Sequence, residues 1–325
     1  MTPLPPKLPS TAHIAALLAM LTQVMIVART RDCDFGTVLR RSWKAAGAIR
    51  HPVLQFRVFR IFLGSEAKRV AVAEPIVMLK HLGDYLGHEF SRADRAHALI
   101  GQYSLLTSKV RSGFFDRIVD GEIELWRLRS EGNDFSIALT FPRKTHQEGD
   151  LSLLFCRDEA CLYTLSFSFG PGHIAGSGCP YAMYVARIQG KGGAFEAIRC
   201  ATRVCEDISP ASLLLAAAEG IALALRVEKL IGISATVQLS AALDSRPDGL
   251  VSTYDRFWLA FGGVPLGGSM YRLDVPMTDK PISEIRRHHR SRVLRKRAFR
   301  ASVRDQVMSS FRSSVLERRA SVRKT

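Results

Sequence analysis

Apolar residues recur at helical spacing in four early segments, Phe35 to Ala48, Pro52 to Phe62, Ala71 to Leu86 and Ser91 to Leu106, separated by Gly, Pro or His-Pro breaks. After Gly113 the period shortens to two. Glu122 to Leu128, Phe135 to Phe141, Leu151 to Phe155 and Tyr163 to Phe169 alternate as strands do, and the turn-forming stretches EGND, RKTHQEGD and RDEA between them make an antiparallel meander the simplest topology. Tyr181 to Gln189 predicts a further strand, broken by Gly190, Gly192 and Gly193 before a helix over Ala194 to Glu206. Asp207 or Ser209 then caps a second helix, with Pro210 in its first turn, running through an alanine- and leucine-rich stretch to Val227. Leu230 to Gln238 reads as a strand, Tyr254 to Phe261 as a short amphipathic helix stopped by a glycine pair, and Met270 to Val275 as the last strand. The expected fold is α+β: a helical N-terminal part, a mixed and mainly antiparallel sheet covered by helices, and a basic C-terminal helix.

At 325 residues one large domain with helical extensions fits as well as two, and the segments suggested are an N-terminal extension over 1–34, a helical part over 35–112, a mixed core over 113–282 and a basic helix and tail over 283–325. Composition adds little to this, being 47% hydrophobic and 23% charged. Charge adds more. The formal net charge is +16, and from Ser283 to Thr325 fourteen Lys and Arg face three acids, so most of the excess lies in the tail. Arg290, Arg292, Arg295, Lys296 and Arg297 are the candidate anion-binding residues, for an anionic membrane surface or an acidic protein partner. Nucleic acid is the less favoured partner, because no zinc-finger spacing or RNA-binding aromatic signature accompanies the cations. A solvated helix with a frayed end is the plain alternative.

The six cysteines include no C-x-x-C pair, and Cys200 and Cys205 diverge on a helix, which favours free thiols in a reducing compartment and no metal site. A cytoplasmic location follows, peripheral at the inner membrane if the tail docks there. Ile14 to Ala28 is apolar but short for a span, holds Thr22 and Gln23, and is followed by no small-x-small cleavage site, so no transmembrane segment is expected, and a buried amphipathic helix, a misplaced start or a targeting segment are the readings of residues 1–30.

Several separated stretches, in order, resemble the VirK/YbjX family of bacterial proteins over about residues 35–300. They are RAHALIGQYSLL from Arg95, QEGDLSLLF from Gln147, LYTLSF from Leu162, YVARIQG from Tyr184, YDRFWLAFGG from Tyr254 and RSRVLRKRAF from Arg290. That resemblance implies a setting of envelope integrity, virulence and stress survival in Gram-negative bacteria, without an assigned reaction. Gln102 departs from it, since the family tends to have His before the tyrosine.

The segment RIQGKG, Arg187 to Gly192, also resembles the R/Q-x-x-G-x-G/A loop by which GCN5-related acyltransferases hold the diphosphate of acyl-coenzyme A. A strand that runs through a glycine turn into a helix aims backbone amides at an anion, and glycine permits close approach. Arg187, Gln189, Gly190, Lys191, Gly192 and Gly193 are therefore the candidate cofactor-binding residues. In that fold the chain later closes with a helix, a Gly-Phe-type turn and a last strand, to which WLAFGG and Tyr271 to Val275 are similar; Trp258, however, stands where the family has a tyrosine acid. Tyr254, one helical turn earlier, is the candidate acid, and Glu148, beside Asp150 at a strand start, the candidate base. The bland alternatives are a packed tyrosine with a satisfied hydroxyl and turn carboxylates open to water. His173, in the glycine-rich loop GPGHIAGSG, has no spaced partner.

Overall fold

The structure is a computed structural model and describes residues 52–63, 65–130, 132–142, 146–239, 247–267 and 269–317. The helix expected over Phe35 to Ala48, the apolar stretch Ile14 to Ala28 and Cys33 lie outside these residues.

Eight strands among them form one sheet in the order β1-β2-β3-β4-β5-β6-β8-β7. β1 (Glu122–Ser130), β2 (Asn133–Thr140), β3 (Leu151–Arg157), β4 (Ala160–Pro171) and β5 (Tyr181–Gly190) run as the antiparallel meander that the alternation predicts. β6 (Lys229–Ile233) then joins β5 in parallel, and β8 (Met270–Asp274) and β7 (Val264–Leu266) complete the sheet antiparallel to it. The fold is thus α+β with a mainly antiparallel sheet, as the sequence reads.

One face of the sheet carries Phe135, Ile137, Leu153, Phe155, Leu165 and Phe167, all fully buried. Against it lie α6 (Pro210–Leu225) and α8 (Arg290–Ser314). Ser209 caps α6 by accepting the Ser212 amide, Pro210 occupies its first position, and Leu213, Leu214, Leu215 and Ile221 are buried completely. Each such side chain contributes roughly 1.5–3 kcal/mol of transfer free energy. Gly220 lets α8 come close, since a Cβ there would sit 2.4 Å from the Arg304 carbonyl oxygen. α8 in turn buries Val303, Val307 and Phe311, spaced by four along its second half.

The other face is more polar, with Ser152, Ser166 and Ser168 in line across β3 and β4. The early helices cover part of it: α1 (Pro52–Leu63), α2 (Lys68–Ala73), a 3-10 segment Pro75–Leu82, α3 (Arg92–Thr107) and α4 (Phe114–Asp120). Ser91 caps α3 by accepting the Asp94 amide, and α3 packs on β4 through Gly101, whose added Cβ would meet Pro171 at 3.0 Å.

Several boundaries differ from the pattern reading, and the helix expected from Tyr254 already begins at Pro247. The helix expected over Ala71 to Leu86 breaks at Glu74-Pro75, because proline cannot continue the α ladder, and resumes as 3-10 turns. The strand expected over Leu230 to Gln238 ends at Ile233, because Ser234 turns the chain by accepting the Thr236 amide into a 3-10 turn, Ala235–Val237. α4 and β7 carry too few residues to show a period and went unread.

Candidate functional site

β5 and β6 pair only between Met183–Val185 and Leu230–Gly232. Beyond Val185 β5 runs on to Gly190 against β4 alone, while β6 stops at the Ser234 turn. The sheet is therefore open between the ends of its one parallel pair among the described strands, and the open side of a parallel pair is where α/β folds place ligands.

A bulge prepares that opening. Ser168 faces Tyr184 and Ser166 faces Arg187, so β5 spends one more residue there than β4 and Arg187 emerges on the same face as Tyr184. Arg187 Nη1 lies 2.6 Å from Glu148 Oε2. Glu148, in the 3-10 segment His146–Glu148, and its neighbour Asp150 are only 5% and 1% exposed, which overturns the expectation of water-exposed turn carboxylates. α7 (Pro247–Ala260) brings in Tyr254. Its position is fixed by Asp255, whose carboxylate accepts from the Ala235 amide and the Ser234 hydroxyl, both at 3.1 Å, and by Trp258, which is fully buried on Gly232 and donates to the Ile233 carbonyl at 3.3 Å. Trp258 is thus a packing residue with no free proton.

Burial pushes the Tyr254 phenol well up from its ordinary value, eased by the nearby Gln238 side chain and Ile188 backbone; Glu148 and Arg187 also act on it electrostatically. None of these meets hydrogen-bonding geometry with the hydroxyl. Glu148 Oε1, Arg187 Nε, Gln238 Nε2 and Tyr254 OH are all buried without a partner among the described residues. The predicted base and loop arginine are thus ion-paired, and the predicted acid Tyr254 feels both electrostatically with Gln238 beside it, a residue that the strand expected over Leu230 to Gln238 conceals. On its outer side Arg187 reaches a cleft of about 510 Å³ lined by Thr140, Phe141, Ser152 and Thr164.

The glycine loop divides. Gly190 stays in the ladder opposite Tyr163, where a Cβ would strike the tyrosine ring at 2.7 Å, and the Lys191 amide donates to the Leu162 carbonyl at 2.8 Å. Gln189 is exposed at the strand end. Gly192 and Gly193 are exposed, with Gly193 at φ +79°, and no described residue accepts from their amides. They lead into α5 (Phe195–Val204), which has no side-chain cap and begins with Phe195, 74% exposed. The residues able to hold a diphosphate are accordingly Gly192, Gly193 and the first turn of α5.

Beside this cluster lies a second, differently built one. Asp150, fully buried, receives Lys80 Nζ at 2.7 Å and the Tyr103 hydroxyl at 3.3 Å on Oδ1, and the Ser168 hydroxyl at 2.8 Å and the Tyr85 hydroxyl on Oδ2. Lys80 also donates to the Gly149 carbonyl at 2.9 Å and lies over the Tyr85 ring. Burial lowers the Lys80 pKa and raises those of Tyr85 and Tyr103. This network rivets the helical part to the sheet. Gln102 acts likewise, accepting the Phe169 amide at 2.6 Å. His173 is exposed, with its ring 6.0 Å from that of His97.

The family model for proteins of unknown function designated DUF535 matches residues 45–309. The chain belongs to the VirK/YbjX family. Among its relatives, the uncharacterized protein YbjX of Escherichia coli (strain K12) is 27% identical over 239 residues, covering 70% of each chain. No solved structure matches. In this VirK/YbjX chain the basic run is part of the folded body. Arg290 donates to the Ile285 and Ser283 carbonyls, Arg292 pairs with Asp207 at 2.8 Å, Arg295 with Glu206 at 2.8 Å, Lys296 reaches the Asp207 carbonyl at 2.7 Å, and Arg297 the Lys280 carbonyl at 2.6 Å. No helix among the described residues is long and apolar enough to cross a membrane, and none of their His, Cys, Asp and Glu side chains form a group of three suited to a metal ion.

Proposed function

We propose that the chain transfers an acyl group from an acyl-coenzyme A to an amine or hydroxyl at the opening between β5 and β6. One observation carries the reading: four buried polar atoms from four separate segments that act on one another electrostatically, Glu148 Oε1, Arg187 Nε, Gln238 Nε2 and Tyr254 OH, have no partner among the described residues. Native interiors rarely leave such atoms unpaired, and a group of them beside an open strand pair fits a polar ligand. The uncapped start of α5 and the amides of Gly192 and Gly193 suit the donor's diphosphate. Phe195 offers its exposed ring to the nucleobase.

The donor supplies an activated thioester. Glu148 Oε1 takes the proton of the attacking amine or hydroxyl, while Arg187 holds the other carboxylate oxygen and turns Nε toward the acyl oxygen. Tyr254 stays protonated because burial raises its pKa, so it delivers its proton to the departing sulfur. Gln238 Nε2 donates to the acyl oxygen from the opposite wall.

The test is a thermal-shift titration with coenzyme A, acetyl- and long-chain acyl-coenzyme A, with ATP as a phosphate control. A ligand at a hundred times its Kd adds about 2.7 kcal/mol, which for this length moves Tm by about 4 °C. Gly192→Glu places a carboxylate at the diphosphate where an added side chain meets nothing within 4 Å, so it should abolish the shift and leave the unliganded Tm unchanged. Equal shifts with ATP, or full binding by Gly192→Glu, would refute the reading.

A further inference from the structure

The hairpin between β3 and β4 turns through two residues, Asp158 and Glu159, both in the left-handed region at φ +47° and +68°. That is the tight turn whose twist suits a hairpin, and it fixes Arg157 opposite Ala160. The next pair inward is Cys156 opposite Cys161. In a two-residue hairpin the pair flanking the turn is hydrogen-bonded and the next is not. Cα atoms in a non-hydrogen-bonded pair lie about 4.5 Å apart with side chains converging, inside the range a disulfide spans. Both are free thiols here; Cys156 is buried, Cys161 is partly exposed, and both line a cleft of about 710 Å³. Cys161 Sγ lies 3.6 Å from both the Thr164 hydroxyl and the Tyr163 carbonyl oxygen.

We propose that Cys156 and Cys161 form a hydroperoxide-reactive dithiol, in which Cys161 attacks the peroxide and Cys156 resolves it to a cross-strand disulfide. The thiolate of Cys161 attacks one peroxide oxygen and the O–O bond breaks; the other oxygen leaves as water, or as the alcohol of an organic hydroperoxide, carrying the proton that Cys161 gave up. Cys156 sulfur then displaces hydroxide from the resulting sulfenic acid, and its own proton completes a water molecule. Two thiols are oxidised by two electrons and one peroxide is reduced. The assignment of roles follows the surroundings. Cys161 is the partly exposed thiol and Cys156 the buried one, so a peroxide in the cleft meets Cys161 first; the neighbouring Cys156 thiol lowers the Cys161 pKa, with Thr164 adding to it, while burial and Glu122 oppose the shift. The other charged groups of the cleft are Glu124, Asp134, Asp158, Glu159 and Arg127, and Arg127 is tied to Glu124 and Asp134. A neutral peroxide can enter such a cleft where an anionic oxidant is repelled.

The full-length protein would be treated with hydrogen peroxide, and its intact mass and tryptic map measured before and after dithiothreitol. Arg157 lies between the two cysteines, so trypsin separates them and only a disulfide keeps their peptides together. The expected result is loss of two hydrogens, with the Cys156–Cys161 cross-link formed about tenfold faster than oxidation at Cys179 or Cys200. Cys156→Ser should trap the sulfenic acid at Cys161 as a dimedone adduct, and Cys161→Ser should give no adduct at Cys156 at the same dose. Oxidation starting at Cys179 or Cys200 with this pair still reduced, or no adduct at Cys161 in Cys156→Ser, would overturn the proposal.

Discussion

Replacing Tyr254 with Phe separates a catalytic tyrosine from a packing one more sharply than any other single change. The ring meets Trp258 edge-on at a centroid distance of 5.8 Å, and Phe keeps that contact, so only the hydroxyl is lost. In the unliganded protein that hydroxyl is buried with no partner among the described residues. Its removal relieves a desolvation cost of about 1–3 kcal/mol and should stabilise the protein. Unfolding entropy near 2.1 cal/mol/K per residue gives roughly 0.7 kcal/mol/K for this chain, so Tm should rise by about 1.5–4.5 °C. Loss of a general acid costs about 10²–10⁴ in turnover. The assay is therefore paired: differential scanning calorimetry of the unliganded proteins, and release of free coenzyme A thiol with an acceptor found by screening. A Tyr254→Phe protein that melts lower and turns over at the native rate would show that the hydroxyl is satisfied and structural, and would remove the acid from the mechanism.

Other expectations follow from the buried polar groups and the helix contact. Lys80→Met leaves Asp150 charged without its cation, which should cost about 3–5 kcal/mol in urea unfolding, whereas Lys80→Met with Asp150→Asn should recover part of that; equal losses would mean the pair is not coupled. His81 is buried and its pKa falls from 6.5 to about 4, first through burial and then through Arg92, so the unfolded chain binds more protons between those values. Stability should be complete above pH 6.5 and decline by up to about 3 kcal/mol as pH falls to 4, with a flatter acid limb in His81→Leu; parallel acid limbs would refute the linkage. Gly220→Ala gains helix propensity of about 1 kcal/mol but forces α8 off α6, for a net loss of about 1–2 kcal/mol by chemical denaturation; a stabilised variant would mean the two backbones part freely.

The meander was legible because each of its strands alternates and each turn carries its own chemistry, and α6 because Ser209 and Pro210 mark its start. The candidate acid and base were legible as residue types only. Nothing local says that Glu148 is buried: its burial comes from β4 and from Arg187, 39 positions away. The bulge at Ser166/Phe167 is likewise invisible to a period-two reading, yet it sets the face on which Arg187 emerges. Gln238 was hidden by reading Leu230 to Gln238 as one strand, although Ser234 followed by Thr236 is a signal for a side-chain-capped turn. The Cys156–Cys161 pair does not show at C-x-x-C spacing, because a hairpin with a two-residue turn pairs positions five apart.

The basic run shows how charge and burial must be read together. Val303, Val307 and Phe311 insert the second half of α8 into the core, and the cations of its first half engage Asp207, Glu206 and backbone carbonyls. Those contacts are exposed, so each contributes little to stability and a stronger anion competes with it at small cost. Deleting the helix would therefore unfold the core before it reported on any surface, and charge reversal at Arg292 and Arg295 is the informative change. The same accounting separates the two polar clusters. Around Asp150 four side chains satisfy both carboxylate oxygens, whereas in the neighbouring cluster Glu148 and Arg187 pair through Oε2 and Nη1, and Glu148 Oε1, Arg187 Nε, Gln238 Nε2 and Tyr254 OH find no partner among the described residues. The proposed acyl transfer accordingly draws on the incomplete network and leaves the completed one to hold the helical part on the sheet.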